Sequence, residues 1–487
     1  MIDPPEPGRH GRRAVAVASA TQMMVVLDGA VLAIALPRMA GDLDVGTGSL
    51  PWVMNAYALP FAGFLLLGGR IADLVGPVRA LRTGLAVFAA ASLGAGLAPS
   101  FGVLLACRVF QGLGSALLSP ASLVLLTRAT SPGTERERAI AVWSVTAAIG
   151  ASASALFGGL LTQTLGWRWV LLINVLIAPA LFAAGRGAAP RWEPDERRPK
   201  GLDVPGALLF VVAFAGLDLA ATVDGGGSQT LRSALAGGVA VAALAALVVT
   251  ERRVRHPLLP LRLLRSPRVA YTNAAAVVLL AGTAATGYYT TLYAQDVAGL
   301  APLTTALCML PGTVAGVLTS RNVPRLAVVL GERNCRTMGP VLVAAAQFGL
   351  AGCERAGAPF GALVPLLVVL SIGSSIAVIT LTSSATRSLP SHQAGLAGGL
   401  ITASGQSGGS IGLAALTGVA AAFTAAPAAS PHAGASAAIV HQVGVALPLG
   451  AALALVATVL ARRIPLGAES GLPENAGHRP APRNVRP

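Results

Sequence analysis

The sequence is poor in charge. Asp, Glu, Lys and Arg make up 11% of its 487 residues, against about 25% in soluble domains, which excludes a water-soluble fold for the chain as a whole. Lysine is nearly missing, with Lys200 standing against 34 arginines. Cysteine is scarce. Cys107, Cys308, Cys335 and Cys353 show no metal or redox spacing and read as small apolar residues or inert thiols. No Walker pattern is present, so ATP is not an energy source carried on this chain. The stretch DGGGS, Asp224 to Ser228, lacks the Walker lysine, and GLGSAL, Gly112 to Leu117, lies inside an apolar run rather than after a strand. The six histidines, His10, His256, His392, His432, His441 and His478, form no cluster with catalytic spacing, which argues against a membrane-embedded enzyme. No metal site or cofactor is implied. The first apolar run follows Arg12-Arg13 and continues well past a short signal-peptide core, so it reads as a retained anchor.

What the chain has is apolar length. Hydrophobic residues make up 54%. Fourteen runs lie near 14–37, 51–69, 80–98, 102–127, 139–162, 168–185, 204–222, 232–250, 269–293, 302–320, 337–353, 359–382, 393–423 and 437–461. Most are of the length that crosses about 30 Å of hydrocarbon as a helix. The formal charge of +15 could suggest nucleic acid, but its placement says otherwise. With both termini inside, 30 of the 35 basic residues fall in inner segments. Arg38, Arg168, Arg232 and Arg355 fall outside, and Arg108 lies within a run. That asymmetry is the positive-inside pattern of an even number of spans, so no nucleic-acid partner is expected. Arginine in place of lysine and abundant alanine suggest a high-GC bacterial genome. The expected location is the bacterial plasma membrane, multi-pass, with both termini cytoplasmic.

The runs group as six, two and six. The expected organisation is a cytoplasmic N-tail (1–13), an N-terminal six-helix bundle (14–185) and a charged, Pro-rich cytoplasmic linker (186–203). Two extra helices (204–250) and a basic cytoplasmic linker (251–268) follow. A C-terminal six-helix bundle (269–461) and a disordered cytoplasmic C-tail (462–487), rich in Pro, Gly and Arg, complete it. Two six-helix halves are the pattern of a transporter built from repeats, with its substrate site between the halves.

Asp28 and Arg108 each stand deep within an apolar run. A charge in hydrocarbon costs several kcal/mol, so it is usually kept for a task or a partner. Asp28 precedes Pro37 by nine residues, about 13 Å of helix, and Arg108 lies roughly 10 Å into its run from the same side. The two therefore sit at similar depth on antiparallel helices. Gln111 is one turn from Arg108 on nearly the same face. Movement of Arg108 toward and away from Asp28 would switch the acid between proton release and uptake; a static ion pair that fixes register is the alternative. Gln22, Asn55, Tyr57, Gln295 and Gln406 either line a cavity or bond between helices. Tyr288 and Tyr289 could stack on a ligand or form an interfacial belt. In the first inner loop, GGRIADLVGPVRALR, Gly69 and Gly76 permit tight turns, and Asp73 lies among Arg70, Arg79 and Arg82. This is either a charge clasp or a solvated loop. Gly150, Ser154 and Gly158, with Gly159 beside them, make a seam of small residues for close helix contact.

That loop resembles the inner-loop signature of the major facilitator superfamily, Gly-x-x-x-Asp-x-x-Gly followed by basic residues. Further segments resemble the superfamily's fourteen-helix drug:proton antiporter branch. They are LDGAVLAIALP (Leu27 to Pro37), PWVMNAYAL (Pro51 to Leu59), RVFQGLGSA (Arg108 to Ala116), WRWVLLIN (Trp167 to Asn174), LDVPGALL (Leu202 to Leu209) and MLPG (Met309 to Gly312). The resemblance implies an all-α membrane protein of the major facilitator fold, with two six-helix bundles and two extra central helices. It implies proton-driven export of drugs or amphipathic metabolites by a monomer whose partners are a small-molecule substrate, protons and membrane lipid. By the same resemblance Asp28 and Arg108 carry proton coupling, and Gly69, Asp73, Gly76 and Arg79 form the conformational clasp. Gln111, Asn55, Tyr57 and Gln22 are the candidate substrate contacts. Three departures stand out. Pro77 and Val78 replace basic residues of the loop, and Val175-Leu176 follows Asn174 without the usual proline. In GASASALFGG, Gly150 to Gly159, Ser154-Ala155 replaces the Gly-Pro of the antiporter signature. This last departure leaves an uncoupled facilitator or importer of the same fold as the alternative.

Overall fold

The computed structural model describes residues 9–46, 49–131, 134–186, 203–221, 227–254, 266–386, 391–423 and 431–465. The linkers expected at 186–203 and 251–268 and the C-tail expected at 462–487 lie largely outside the described residues. Those described are overwhelmingly helical, with no strand among them. The helices are α1 (Arg9–Val31), α2 (Leu36–Leu43), α3 (Pro51–Val75), α4 (Pro77–Gly96), α5 (Phe101–Ala129), α6 (Thr134–Thr164) and α7 (Trp167–Gly185). They continue with α8 (Val204–Ala221), α9 (Gly227–Arg253), α10 (Pro267–Leu292), α11 (Pro302–Leu330), α12 (Glu332–Arg355), α13 (Val364–Thr386), α14 (Ser391–Ala422) and α15 (Pro431–Arg463). Apart from the short α2, each coincides with one of the fourteen apolar runs. Ten spans are long and apolar enough to cross a membrane among the described residues, and the bent α3 makes an eleventh. The remaining three, α8, α12 and α14, do not meet that measure. Leu176, Val241, Leu235 and Phe110 on the outside of the bundle are more than half exposed, as expected of side chains that face lipid rather than water.

Several helices outrun their apolar segments. α11 continues to Leu330 through Arg321 and Arg325, because charge ends a hydrocarbon span without ending a helix. The apolar run ends at Pro37, but this proline sits in the first turn of α2, after a 3₁₀ turn at Leu32–Ile34. Proline suits that place, since the first helical turn has no intrahelical use for its missing N–H. Pro51, Pro77, Pro267 and Pro302 begin helices in the same way.

The two halves repeat one packing plan. α1 packs on α6, α3 and α4 on α5, and α4 on α7; in the second half α10 packs on α14, α11 and α12 on α13, and α12 on α15. At the equivalent point of each half a single glycine of positive φ joins two helices: Gly76 (φ 95°) between α3 and α4, and Gly331 (φ 82°) between α11 and α12. A side chain there would meet the Cβ strain that glycine avoids. Across the halves α3 meets α14 and α6 meets α11, while α8 packs on α9, α3 and α14.

The core is distributed unevenly. Around the end that carries Gln295, one buried cluster draws on both halves, from Leu32, Met39 and Val53 to Tyr288, Leu292 and Leu416. Elsewhere each half keeps its own cluster, around Phe61, Leu85 and Phe88 in the first and around Leu279, Val343 and Leu381 in the second. The halves are therefore fused at the Gln295 end and separate toward the Asp73 end. The space between them is the main cavity.

Candidate functional site

Asp28 on α1 and Arg108 on α5 are in contact. Arg108 Nη1 donates to Asp28 Oδ2 at 2.8 Å, and both side chains are fully buried. Arg108 Nε donates to Val53 O at 3.1 Å and Nη1 also to Gln111 Oε1 at 3.0 Å. Gln111 Nε2 in turn donates to Ser92 Oγ on α4 at 2.7 Å. The other carboxylate oxygen of Asp28 accepts from Asn174 Nδ2 on α7 at 2.6 Å. Five helices, α1, α3, α4, α5 and α7, thus join in one network around the buried charge pair. Hydrogen bonds to charged groups are shorter and stronger than neutral ones, and a desolvated pair needs them to offset the loss of water. Asn174 stood in the sequence only as the last residue of a motif. The signal available was an amide within an apolar run.

The guanidinium has a further partner. Its central carbon lies 4.4 Å from the centroid of the Tyr57 ring, within cation–π range. The Tyr57 hydroxyl donates to Val25 O at 3.2 Å. Tyr57 also lines the large cavity, of about 950 Å³, whereas Asp28 and Arg108 do not. Tyr57 is therefore the partition between the cavity and the ion pair.

The cavity lies between the halves, walled by α1, α3, α5 and α6 on one side and α10, α13 and α14 on the other. Gln22 and Asn55, expected as substrate contacts, line it with Tyr57, and Gln406 joins them. Gln111 does not; it serves the ion pair instead. Asn55 Nδ2 donates to Ser410 O at 3.3 Å, a bond between the halves. The lining continues to Gly69, Arg70 and Asp73, so the cavity reaches the inner-loop motif. At the opposite end the halves are tied by Gln295 Nε2 donating to Ile34 O at 3.0 Å and Leu303 N donating to Gln163 Oε1 at 3.2 Å. Tyr288 and Tyr289 are buried in the cluster at that end rather than placed on the cavity or at a lipid boundary.

The loop motif has a partner that the sequence did not disclose. Asp73 lies 4.0 Å from Arg128 at the end of α5. Arg79 is exposed on α4, and Arg82 lies 4.2 Å over the Phe182 ring. The small-residue seam faces two ways. An added Cβ at Gly150 would come within 2.9 Å of Met23 O and one at Gly158 within 2.5 Å of Val31 O, both on the first-span side. At Gly159 it would come within 2.8 Å of Pro302 O on α11, across the halves. Ser154 Oγ donates to Ala151 O within α6 at 2.7 Å.

The comparisons with known proteins agree with this architecture. The model of the Major Facilitator Superfamily matches residues 18–413. The cephamycin export protein CmcT of Amycolatopsis lactamdurans is 36% identical over 409 residues, covering 83% of this chain and 84% of that protein. The puromycin resistance protein pur8 of Streptomyces alboniger is 34% identical over 486 residues, covering 94% and 91%. Among solved structures, an auto-inhibited peptide transporter of the POT family superposes with a TM-score of 0.70 at 16% identity, covering 95% of this chain and 98% of that one; at that identity it speaks for the fold alone. The chain is a membrane transporter that belongs to the Major Facilitator Superfamily and, within it, to the drug-exporter family.

Proposed function

We propose that this chain exports antibiotics or similar amphipathic metabolites in exchange for protons. The observation that carries the reading is the buried Asp28–Arg108 pair, separated by the Tyr57 ring from a cavity large enough for a drug. A proton on Asp28 removes the charge that Arg108 answers; a substrate in the cavity presses on the ring that covers Arg108. The two events thus act on one guanidinium, which is what exchange requires. The names of the relatives supply the compound class: cephamycin, puromycin and lincomycin appear among them.

In this reading the Asp73 end is cytoplasmic, by the positive-inside rule, along with both termini, and the membrane is the bacterial plasma membrane. The conformation is then inward-open, sealed outside by the shared cluster. Residues 14–185 and 269–461 are the two moving bundles of a monomer, and 204–250 accompany them. Gly69, Asp73, Gly76 and Arg79, with Arg128 added, are the clasp that closes when the cavity turns outward. A facilitator without coupling is the second reading, carried by the Ser154-Ala155 departure.

The test is proton movement in inverted membrane vesicles with an acid interior, followed by a pH-sensitive dye as cephamycin, puromycin and lincomycin are added. The native protein is expected to release protons on addition of a substrate, and Asp28→Asn to release none. Equal release by the variant would remove Asp28 from coupling. Uptake of labelled drug without any proton release would establish the facilitator.

A further inference from the structure

A second carboxylate is buried in the C-terminal half, away from the Asp28–Arg108 pair. Glu354, near the end of α12, is fully buried, and neither carboxylate oxygen has a hydrogen-bond partner. It lines a separate open cavity of about 470 Å³ together with Tyr293, Arg355, Ser436 and His441. The groups that face it are known from each element around it. Arg355 and Cys353 lie beside it on α12, and Arg355 Nη2 is engaged by Gly444 O at 2.6 Å. His441 and Ser436 come from α15, and Tyr293 from the turn after α10, which also carries Asp296 outside the cavity lining. An ionised carboxylate shielded from bulk water and without a protein partner costs several kcal/mol, whereas a protonated one does not bear that penalty.

The turn Tyr293–Val297 is one turn of π-helix, a form often found at functional positions. It holds both sides of the matter. Tyr293 faces the Glu354 cavity, and its hydroxyl donates to Ala358 O at 3.0 Å. Two residues on, Gln295 makes the bond to Ile34 that ties the halves together. Asp296 O accepts from Ser436 Oγ at 3.3 Å, fastening the turn to α15.

We propose that Glu354 is a proton-binding site open to the Gln295 end, and that its proton favours closure of that end through the turn Tyr293–Val297. The carboxylate takes one proton from the solution at that end and becomes a neutral acid that tolerates burial in the closed packing. Loss of that proton to the same solution restores a carboxylate that requires water, and the turn, with Gln295, gives way to admit it. The proton does not cross the membrane. Glu354 sets how the gate answers to pH, while Asp28 carries the exchange. The inference rests on the alternating-access reading above.

The experiment uses the full chain in liposomes, with the four native cysteines replaced by serine and spin labels at Leu165→Cys and Ala362→Cys, one exposed position at that end of each half. The inter-label distance is followed by pulsed dipolar spectroscopy from acid to alkaline pH, and the carboxylic-acid C=O band by infrared difference spectroscopy. The native background is expected to widen as pH rises, with loss of one acid band. Glu354→Gln is expected to lose both responses and stay closed, and Glu354→Asp to regain the pH response. An unchanged widening in Glu354→Gln, or no widening in the native background, overturns the inference. Proton release measured beside Asp28→Asn is independent of that outcome, so failure here leaves the exchange reading standing or falling by itself. If Glu354→Gln does not fold, His441→Gln takes its place, with a displaced midpoint expected and an unchanged one overturning the inference.

Discussion

The Arg108 guanidinium lies over the Tyr57 ring at 4.4 Å, and Tyr57 is the residue through which the pair with Asp28 borders the main cavity. One ring therefore separates a desolvated charge from a space open to solvent. A cation–π contact contributes about 2 kcal/mol when desolvated, and the ring also keeps water from the pair. Tyr57→Phe retains the ring and loses the hydroxyl bond to Val25 O; it is expected to transport close to the native rate. Tyr57→Ala is expected to let protons leak without substrate, measured as dissipation of an imposed pH gradient in vesicles. A tight Tyr57→Ala membrane would mean that the ring is not the partition.

The ion pair should show strong coupling in stability. Removing one partner of a buried pair typically costs about 3–5 kcal/mol, because the other is left uncompensated. Arg108→Gln is expected to fall in that range, by reversible unfolding in detergent, and Asp28→Asn with Arg108→Gln to lose less than the sum of the singles. Arg108→Lys should behave as a loss as well. Nε and Nη1 serve Val53, Asp28 and Gln111 together, and an ammonium cannot span that fork.

Asn174 holds the second oxygen of Asp28 at 2.6 Å. A hydrogen bond to a charged group is worth about 1.5–3 kcal/mol. Asn174→Ala should therefore reduce exchange by roughly ten-fold or more, at about 1.4 kcal/mol per factor of ten. The readout is the proton-release assay. A larger effect is expected for Asn174→Asp, which sets two carboxylates together. Native exchange by Asn174→Ala would make the amide a packing residue only.

Gly159 faces α11 across the halves, whereas Gly158 faces the end of α1 within one half. Overpacking costs about 1–3 kcal/mol at either place. The functional results should differ. Gly159→Val obstructs the α6–α11 contact as it stands and is expected to shift the resting state toward the Asp73 end closed, seen as lower access of a cysteine reagent to Ser119→Cys in the cavity. Gly158→Val is expected to lose stability without that shift.

Asp73 and Arg128 are 4.0 Å apart and partly exposed. Exposed pairs of this kind are worth about 0–1 kcal/mol. Arg128→Ala should thus change the unfolding midpoint little. As a member of the clasp it should impair exchange, with a weaker effect of added salt than in the native protein. Exchange at the native rate would remove Arg128 from the clasp.

The sequence by itself determined the membrane fold, the two repeats and the depth of the central pair. These follow from run length and from arithmetic along a helix: 1.5 Å per residue places Asp28 and Arg108 level, whatever their helices do in rotation. It also marked Gly76, where only a backbone of positive φ closes the turn. Tertiary structure decided what faces what. Gln111 points to the ion pair and Tyr57 to the cavity because of helix rotation, and the periodicity of a helix that is apolar all round does not encode rotation. Asn174 and Arg128 stayed hidden for the same reason, one as an amide within an apolar run and the other as a charge that topology already explained. Glu354 lay at the edge of a run, where a carboxylate is usually solvated. Burial by α15 and by the turn after α10 made it a desolvated group, since the dielectric around a side chain is set by its neighbours in space and not in sequence.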